Sequence, residues 1–179
     1  MGKLRWMIIL GLALFYSVAM AEEHAVLKAV SDGDTLKVTF NGHTERLRLI
    51  GIDTPESKPN ERAYKLAVRN GNDLQTTIAL GLQARNFVQS LLPPGMVLRL
   101  EFDVEQRDKY NRLLAYVYRP DGRMLNEEIV TNGYAYSMTV PPNVRYRARF
   151  KEAFEKARKE QRGLWKHASF DPAGNHSSE

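Results

Sequence analysis

Three stretches near the start of the chain alternate apolar and polar side chains with a period of two. They are Val26 to Val30, Leu36-Lys37-Val38-Thr39-Phe40, and Glu45-Arg46-Leu47-Arg48-Leu49-Ile50-Gly51-Ile52. That period turns one face of a strand to a core and the other to water. Asn41-Gly42 separates the second stretch from the third, and both residue types tolerate the positive φ of a tight hairpin turn. Asp32-Gly33-Asp34 joins the first stretch to the second. The pattern predicts three consecutive antiparallel strands. Polar residues then dominate from Glu56 to about Gln75, interrupted by Gly71-Asn72-Asp73, and predict a long surface loop with a helical turn around Arg62 to Arg69.

Ile78 to Leu92 carries Ala79, Leu82, Phe87 and Leu91 at helical spacing and is stopped by Pro93-Pro94-Gly95. Alternation returns in Met96 to Phe102 and in Leu113 to Tyr118, on either side of a charged link from Asp103 to Arg112. After the turn residues Pro120-Asp121-Gly122, Met124 to Asn132 predicts a short helix ended by Gly133. Arg145 to Gln161 predicts a longer amphipathic helix, with Ala148, Phe150, Ala153, Phe154 and Ala157 on its apolar side. The order is three strands, helix, two strands, helix, helix. It predicts a mainly β fold with α: a five-stranded OB-fold-like Greek-key barrel with three helices. Barrels of this shape commonly bind oligonucleotides, although a fold does not by itself fix a function.

The first residues stand outside this pattern. Met1 to Arg5 is short and basic, Trp6 to Val18 is almost wholly apolar, and Ala19-Met20-Ala21 has the small-x-small form of a signal peptidase site. A membrane-spanning helix needs about 20 apolar residues, and this run is shorter. The expectation is a cleaved signal peptide over residues 1–21, one domain over residues 22–170 and a disordered tail over residues 171–179. The product would then be secreted or periplasmic and free of the membrane, with a retained N-terminal anchor as the alternative. Lys3 and Arg5 leave with the signal and no acidic residue does, so the formal charge falls from +5 to +3. That is a mild bias toward polyanions.

With no cysteine, disulfide scaffolds, cysteine nucleophiles and thiolate metal sites are excluded. The four histidines are scattered without paired metal spacing, which disfavours zinc; ligands for any metal should be oxygens. Two acidic clusters stand out, Asp32-Gly33-Asp34-Thr35 and Asp53-Thr54-Pro55-Glu56. Each has a plain structural reading. Asp-Gly-Asp is a common turn, and Thr-Pro-Glu is a common way to begin a helix. Arg48 lies five residues before Asp53, and Arg107-Asp108-Lys109-Tyr110-Asn111-Arg112 is either a solvated loop or part of the same charged site.

Taken in order, the segments resemble the staphylococcal nuclease family from about Val26 to Trp165. The resemblance is carried by Ser31-Asp32-Gly33-Asp34-Thr35-Leu36, by Arg48-Leu49-Ile50-Gly51-Ile52-Asp53-Thr54-Pro55-Glu56 and by Asp108-Lys109-Tyr110-Asn111-Arg112-Leu113-Leu114-Ala115-Tyr116-Val117-Tyr118. Leu125-Asn126-Glu127, Asn132-Gly133 and Gly163-Leu164-Trp165 extend it. The resemblance implies a monomeric Ca2+-dependent nuclease acting on DNA and RNA, with single-stranded or frayed regions preferred and 3′-phosphate ends left. It implies Asp34 and Asp53 as calcium carboxylates with the Thr54 carbonyl beside them, and Glu56 as the group that activates or positions water. Arg48 and Arg112 would grip the scissile phosphate, with Lys109 and Tyr110 near a terminal phosphate.

Those residue types suit the chemistry. A hard cation on two aspartates can contact a phosphoryl oxygen, arginine forks can neutralise charge in the transition state, and a carboxylate can take the water's proton. Asn111 stands where the family often has glycine, and asparagine also tolerates positive φ. The stretch from Ser57 to Thr77 is longer than the corresponding loop of the founding member, and its Lys58, Arg62, Lys65 and Arg69 would guide nucleic acid, form a lid, or be a tolerated insertion. Tyr134, Tyr136 and Tyr146 are placed either to stack on bases or to fill the core.

Overall fold

A computed structural model describes residues 22–166. The first strand, β1 (Glu23–Asp32), is longer than its alternation predicts because it is shared between two neighbours. Its first half pairs with β5 (Val97–Glu101), from Glu23↔Leu100 to Val26↔Val97. Its second half pairs with β2 (Thr35–Phe40), down to Asp32↔Thr35. Register shifts at Leu27/Ala29 and Val30/Asp32 bend it between the two. The Asn41-Gly42 turn, with φ of 50° and 78°, leads into β3 (His43–Leu49). Strand β6 (Leu113–Tyr118) runs parallel to β3 and antiparallel to β5, closing the barrel in the order β1-β2-β3-β6-β5. Inside it Leu27, Leu36, Val38, Leu47, Leu98 and Val117 are buried, which is the apolar face that the period of two demanded.

The third strand does not reach Ile52 as its alternation predicts. Barrel pairing stops at Leu49, and the chain turns at Ile50-Gly51. Gly51 has φ 81°, and a Cβ on it would lie 2.4 Å from the Phe150 ring, so both backbone and packing require glycine there. Asn126 is fully buried and pins this turn: its Nδ2 donates to Ile50 O at 2.9 Å, and its Oδ1 accepts from Val117 N at 2.9 Å. Ile52–Asp53 then forms a separate short strand, β4, antiparallel to β7 (Tyr136–Ser137). Asp53 therefore lies on a ribbon outside the barrel sheet.

The described residues hold four α-helices, one more than expected. The helical turn expected around Arg62 to Arg69 is a full helix, α1 (Glu61–Asn70), whose buried residues are Ala63 and Ala67, so the stretch is less of a loop than expected. Asn60 caps its start by accepting from Ala63 N at 2.9 Å, and Gly71 ends it in the left-handed conformation. Asp73 caps α2 (Leu74–Leu91), which begins one turn earlier than its apolar spacing suggests. Helices α3 (Leu125–Thr131) and α4 (Arg147–Lys159) follow, then a 3₁₀ turn over Gly163–Lys166.

The three tyrosines left open between stacking and packing are packed. Tyr134 stacks on Phe87 with centroids 4.2 Å apart, Tyr136 meets Trp165 edge-on, and Tyr146 meets Tyr116 edge-on. Among the described residues no helix is long and apolar enough to cross a membrane. The expected signal peptide, the end of the expected domain after residue 166 and the expected tail lie outside the described residues.

Candidate active site

Three places where the chain leaves a barrel strand supply the charged side chains. The first is the β1–β2 hairpin. Asp34 is buried there; its Oδ1 accepts from Thr35 Oγ1 at 2.9 Å and its Oδ2 from the Thr54 backbone N at 3.1 Å. The neighbouring Asp32 accepts from Gly33 N at 2.9 Å and Ser57 N at 3.3 Å. Burial, with Asp34 and Glu56 nearby, pushes its carboxyl up to about 6 against the pull of those two backbone donors.

The second place is the exit from β3. Arg48 is 6% exposed and its Nη1 donates to Leu49 O at 3.1 Å. Its Nη2 sits between two carboxylates, 2.8 Å from Asp53 Oδ1 and 3.1 Å from Asp34 Oδ2. Two carboxylates so placed, one buried and one half-buried, would repel, and one shared guanidinium relieves the repulsion. Burial still holds Asp53 above the usual carboxylate range; Asp34 adds to this, and Arg48 and Arg62 oppose it.

Thr54-Pro55-Glu56 does not begin a helix, since α1 starts at Glu61 with Asn60 as its cap. The segment instead runs across α2, where Gly81 has room for no side chain: a Cβ would lie 2.2 Å from Glu56 O. Glu56 Oε2 accepts from Asn60 Nδ2 at 2.7 Å, and Oε1 lies 3.0 Å from Arg62 Nη1. The other prong of Arg62, Nη2, reaches Asp53 Oδ1 at 2.6 Å. Arg62 thus bridges Asp53 and Glu56.

The third place is the loop before β6. Asn111 takes φ 61°, as its residue type allows. Asp108 Oδ1 accepts from the backbone N of Tyr110 and of Arg112, both at 2.9 Å, while its Oδ2 takes Arg112 Nε at 2.7 Å. The turn is wound around that carboxylate, and Arg112 is aimed by it.

Asp34, Glu56, Tyr110 and Arg112 open onto one cavity of about 400 Å³, together with Asp32, Arg46 and Arg62. Arg48, Asp53 and Thr54 join this group through their contacts with Asp34. Lys109 does not line it; the side chain is exposed, its ammonium 5.1 Å from the Tyr110 ring centroid. Tyr110 is itself 66% exposed at the rim. Arg62 and Asp108 are side chains that sequence pattern does not single out for this place. The signs for Asp108 are its place in the charged run 107–112 and its spacing of four from Arg112; Arg62 stands out only as one of four basic residues in the 57–77 stretch, with nothing to name Asp53 and Glu56 as its partners.

The fold and the site are those of a small β-barrel with a charged cavity at its surface. Residues 46–167 match the family model described as staphylococcal nuclease homologue. The chain is 38% identical to a thermonuclease of Staphylococcus intermedius over 144 residues, covering 80% of this chain and 76% of that protein. It is 33% identical to a thermonuclease of Staphylococcus hyicus over 150 residues, covering 83% and 79%. It is also 37% identical to the SPbeta prophage-derived endonuclease YokF of Bacillus subtilis over 137 residues, covering 75% of this chain and 41% of that one. The chain belongs to the staphylococcal nuclease family and is a hydrolase of the nuclease class.

Proposed function

We propose that the protein is an exported, Ca2+-dependent nuclease that hydrolyses phosphodiester bonds in DNA and RNA with little sequence specificity. The observation that carries this reading is the convergence of Asp34 and Asp53 on one nitrogen of Arg48, with Glu56 and Arg112 facing the cavity beside them. Among the described residues no three His, Cys, Asp or Glu side chains gather as a metal cluster. The donors suit a hard cation nonetheless. Two carboxylates share one cationic partner, and Thr54 Oγ1 beside them is buried without a hydrogen bond. Asp34, Asp53 and the Thr54 carbonyl would hold the ion, leaving substrate phosphate and water to complete its coordination. A bound calcium there supplies a Lewis-acidic contact for a phosphoryl oxygen.

The remaining work falls to side chains. Glu56 takes the proton of the attacking water as its oxygen bonds to phosphorus. The bond from phosphorus to the 5′-oxygen breaks, that oxygen is protonated from solvent, and a 3′-phosphate end remains. Arg112 braces the phosphate from the β6 side, and Arg48 adds positive charge from behind the aspartates. Lys109 and Tyr110, at the rim, meet a terminal phosphate or its nucleotide. Contacts of this kind are to backbone, so they carry little base information, and single-stranded or frayed regions fit most readily. The reading takes the protein to act as a monomer. The N-terminal segment over residues 1–21, with its basic start, its apolar run from Trp6 to Val18 and its Ala19-Met20-Ala21 site, supports export by a cleaved signal and release from the membrane.

Incubation of the purified protein with single-stranded DNA, first with calcium and then with excess EGTA, tests the reading. Cleavage that EGTA stops and calcium restores is expected. Undiminished cleavage in EGTA overturns the metal assignment, and tight binding without cleavage in either condition makes the barrel a binding module.

A further inference from the structure

Asp53 Oδ1 receives two guanidinium nitrogens, Arg48 Nη2 at 2.8 Å and Arg62 Nη2 at 2.6 Å. An oxygen so occupied has little left to offer a metal ion, so a cation bound through it competes with the two arginines. The two arginines are not equally easy to move. Arg48 is buried in the barrel wall and is also tied to Asp34 and to Leu49 O. The Arg62 side chain is 51% exposed and stands in the first turn of α1, a helix whose buried side chains are two alanines. Its second prong holds Glu56 Oε1 at 3.0 Å.

Resting on the calcium reading above, we infer that Arg62 is a built-in counter-ion that occupies the metal's place on Asp53 and restrains Glu56 until cation and phosphate arrive together. Formal charge among the five groups in contact explains why each arrival favours the other. Asp34, Asp53 and Glu56 set against Arg48 and Arg62 leave one negative charge. A divalent ion alone reverses that to one positive charge, and the single negative charge of a phosphodiester returns it to neutral. Released from Asp53, the guanidinium remains beside the cavity that Glu56 and Arg112 line, where a phosphate oxygen replaces the carboxylate it has lost. Metal and substrate then favour each other's binding, and Arg62 is the positioning residue that couples them. Lysine would not serve equally, because one ammonium cannot span two carboxylates as a fork does.

The test is a calorimetric titration of the full chain with CaCl2 alone, without nucleic acid. Arg62→Ala is compared with the unaltered protein, with Arg62→Lys, and with Arg69→Ala, which removes the same charge further along α1. The expected result is calcium binding roughly 5- to 10-fold tighter in Arg62→Ala, intermediate in Arg62→Lys and nearly unchanged in Arg69→Ala. Equal affinity in all four proteins overturns the inference, as does an equal gain in Arg62→Ala and Arg69→Ala, which would mark a general charge effect. Calcium-dependent cleavage with unaltered affinity in Arg62→Ala removes this inference alone. Cleavage in EGTA with no calcium bound by any of the four removes the metal reading and this inference with it.

Discussion

Arg112 is fastened to Asp108 at two points, its Nε and its Nη2 each 2.7 Å from Asp108 Oδ2. The guanidinium that faces the cavity is therefore aimed by a carboxylate that does not line it. Asp108→Asn keeps an oxygen for the backbone donors of Tyr110 and Arg112 but loses the charge that orients the side chain. A misplaced phosphate clamp costs up to about 100-fold, so kcat/KM should fall about 10- to 100-fold with little change in far-ultraviolet circular dichroism. Steady-state cleavage of a single-stranded oligonucleotide measures it.

The same pair gives a pH dependence. Burial opposes ionisation of Asp108, but the hydrogen bonds and charge of Arg112 outweigh it and hold the carboxyl below its ordinary 3.8. A carboxyl depressed by folding stabilises the protein above its unfolded value and loses that contribution as pH falls through its folded value. The stability difference between the native protein and Asp108→Asn should be full at neutral pH and shrink below about pH 4. Urea unfolding of both proteins at a series of pH values would show it, and a difference independent of pH would refute it.

Glu56 contributes a charge to the cavity but little to the packing. Glu56→Gln should leave fold and substrate binding in place and lower kcat about 100- to 1000-fold, the usual cost of removing one preorganised catalytic group. Single-turnover cleavage beside a filter-binding measurement separates the two quantities.

Arg48 stands between two carboxylates that are otherwise poorly solvated. Arg48→Ala leaves Asp34 and Asp53 facing each other, and should destabilise the protein by about 3–5 kcal/mol when no metal is present. Adding Asp53→Asn should restore part of the loss, because the repulsion needs both charges. Denaturant unfolding of the single and double variants decides it.

Gly81 lies in the middle of α2, where alanine would ordinarily strengthen a helix by about 0.5–1 kcal/mol. Here the added methyl would meet Glu56 O at 2.2 Å. Gly81→Ala should therefore destabilise by about 1–3 kcal/mol and lower activity by shifting the segment that carries Glu56. Thermal unfolding gives the first quantity, and the oligonucleotide assay gives the second.

The barrel was legible because each of its strands has one face in a core, which writes a period of two into the residues themselves. Asn41-Gly42 and Asn111 were legible for a similar local reason, since each needs positive φ and few residue types supply it. Helix α1 was legible only as a helical turn around Arg62 to Arg69 within a loop, because its buried residues are just Ala63 and Ala67. The departure of Ile52 from β3 depends on Asn126, seventy-odd residues later, gripping the Ile50 carbonyl. The charged residues of the site could be named from motif, but the arginine laid across Asp53 and Glu56 could not. Its place is set by the cap at Asn60 and the direction in which α1 leaves it, and neither has a signature in the motif.

The ribbon of β4 and β7 has a consequence for the order in which the molecule is made. All five barrel strands lie before residue 119, but Leu125, Ile129 and Phe150, which complete the core, and Asn126, which ties β6 to the Ile50 turn, come after it. The partner strand of Asp53, at Tyr136–Ser137, has not yet been made, nor has Phe150, which packs over the Gly51 turn. A shortened product of synthesis or proteolysis thus lacks both part of the core and a set place for one of its two central aspartates. The strands come from the front of the chain, while the seal on their core and the seat of Asp53 wait for the back.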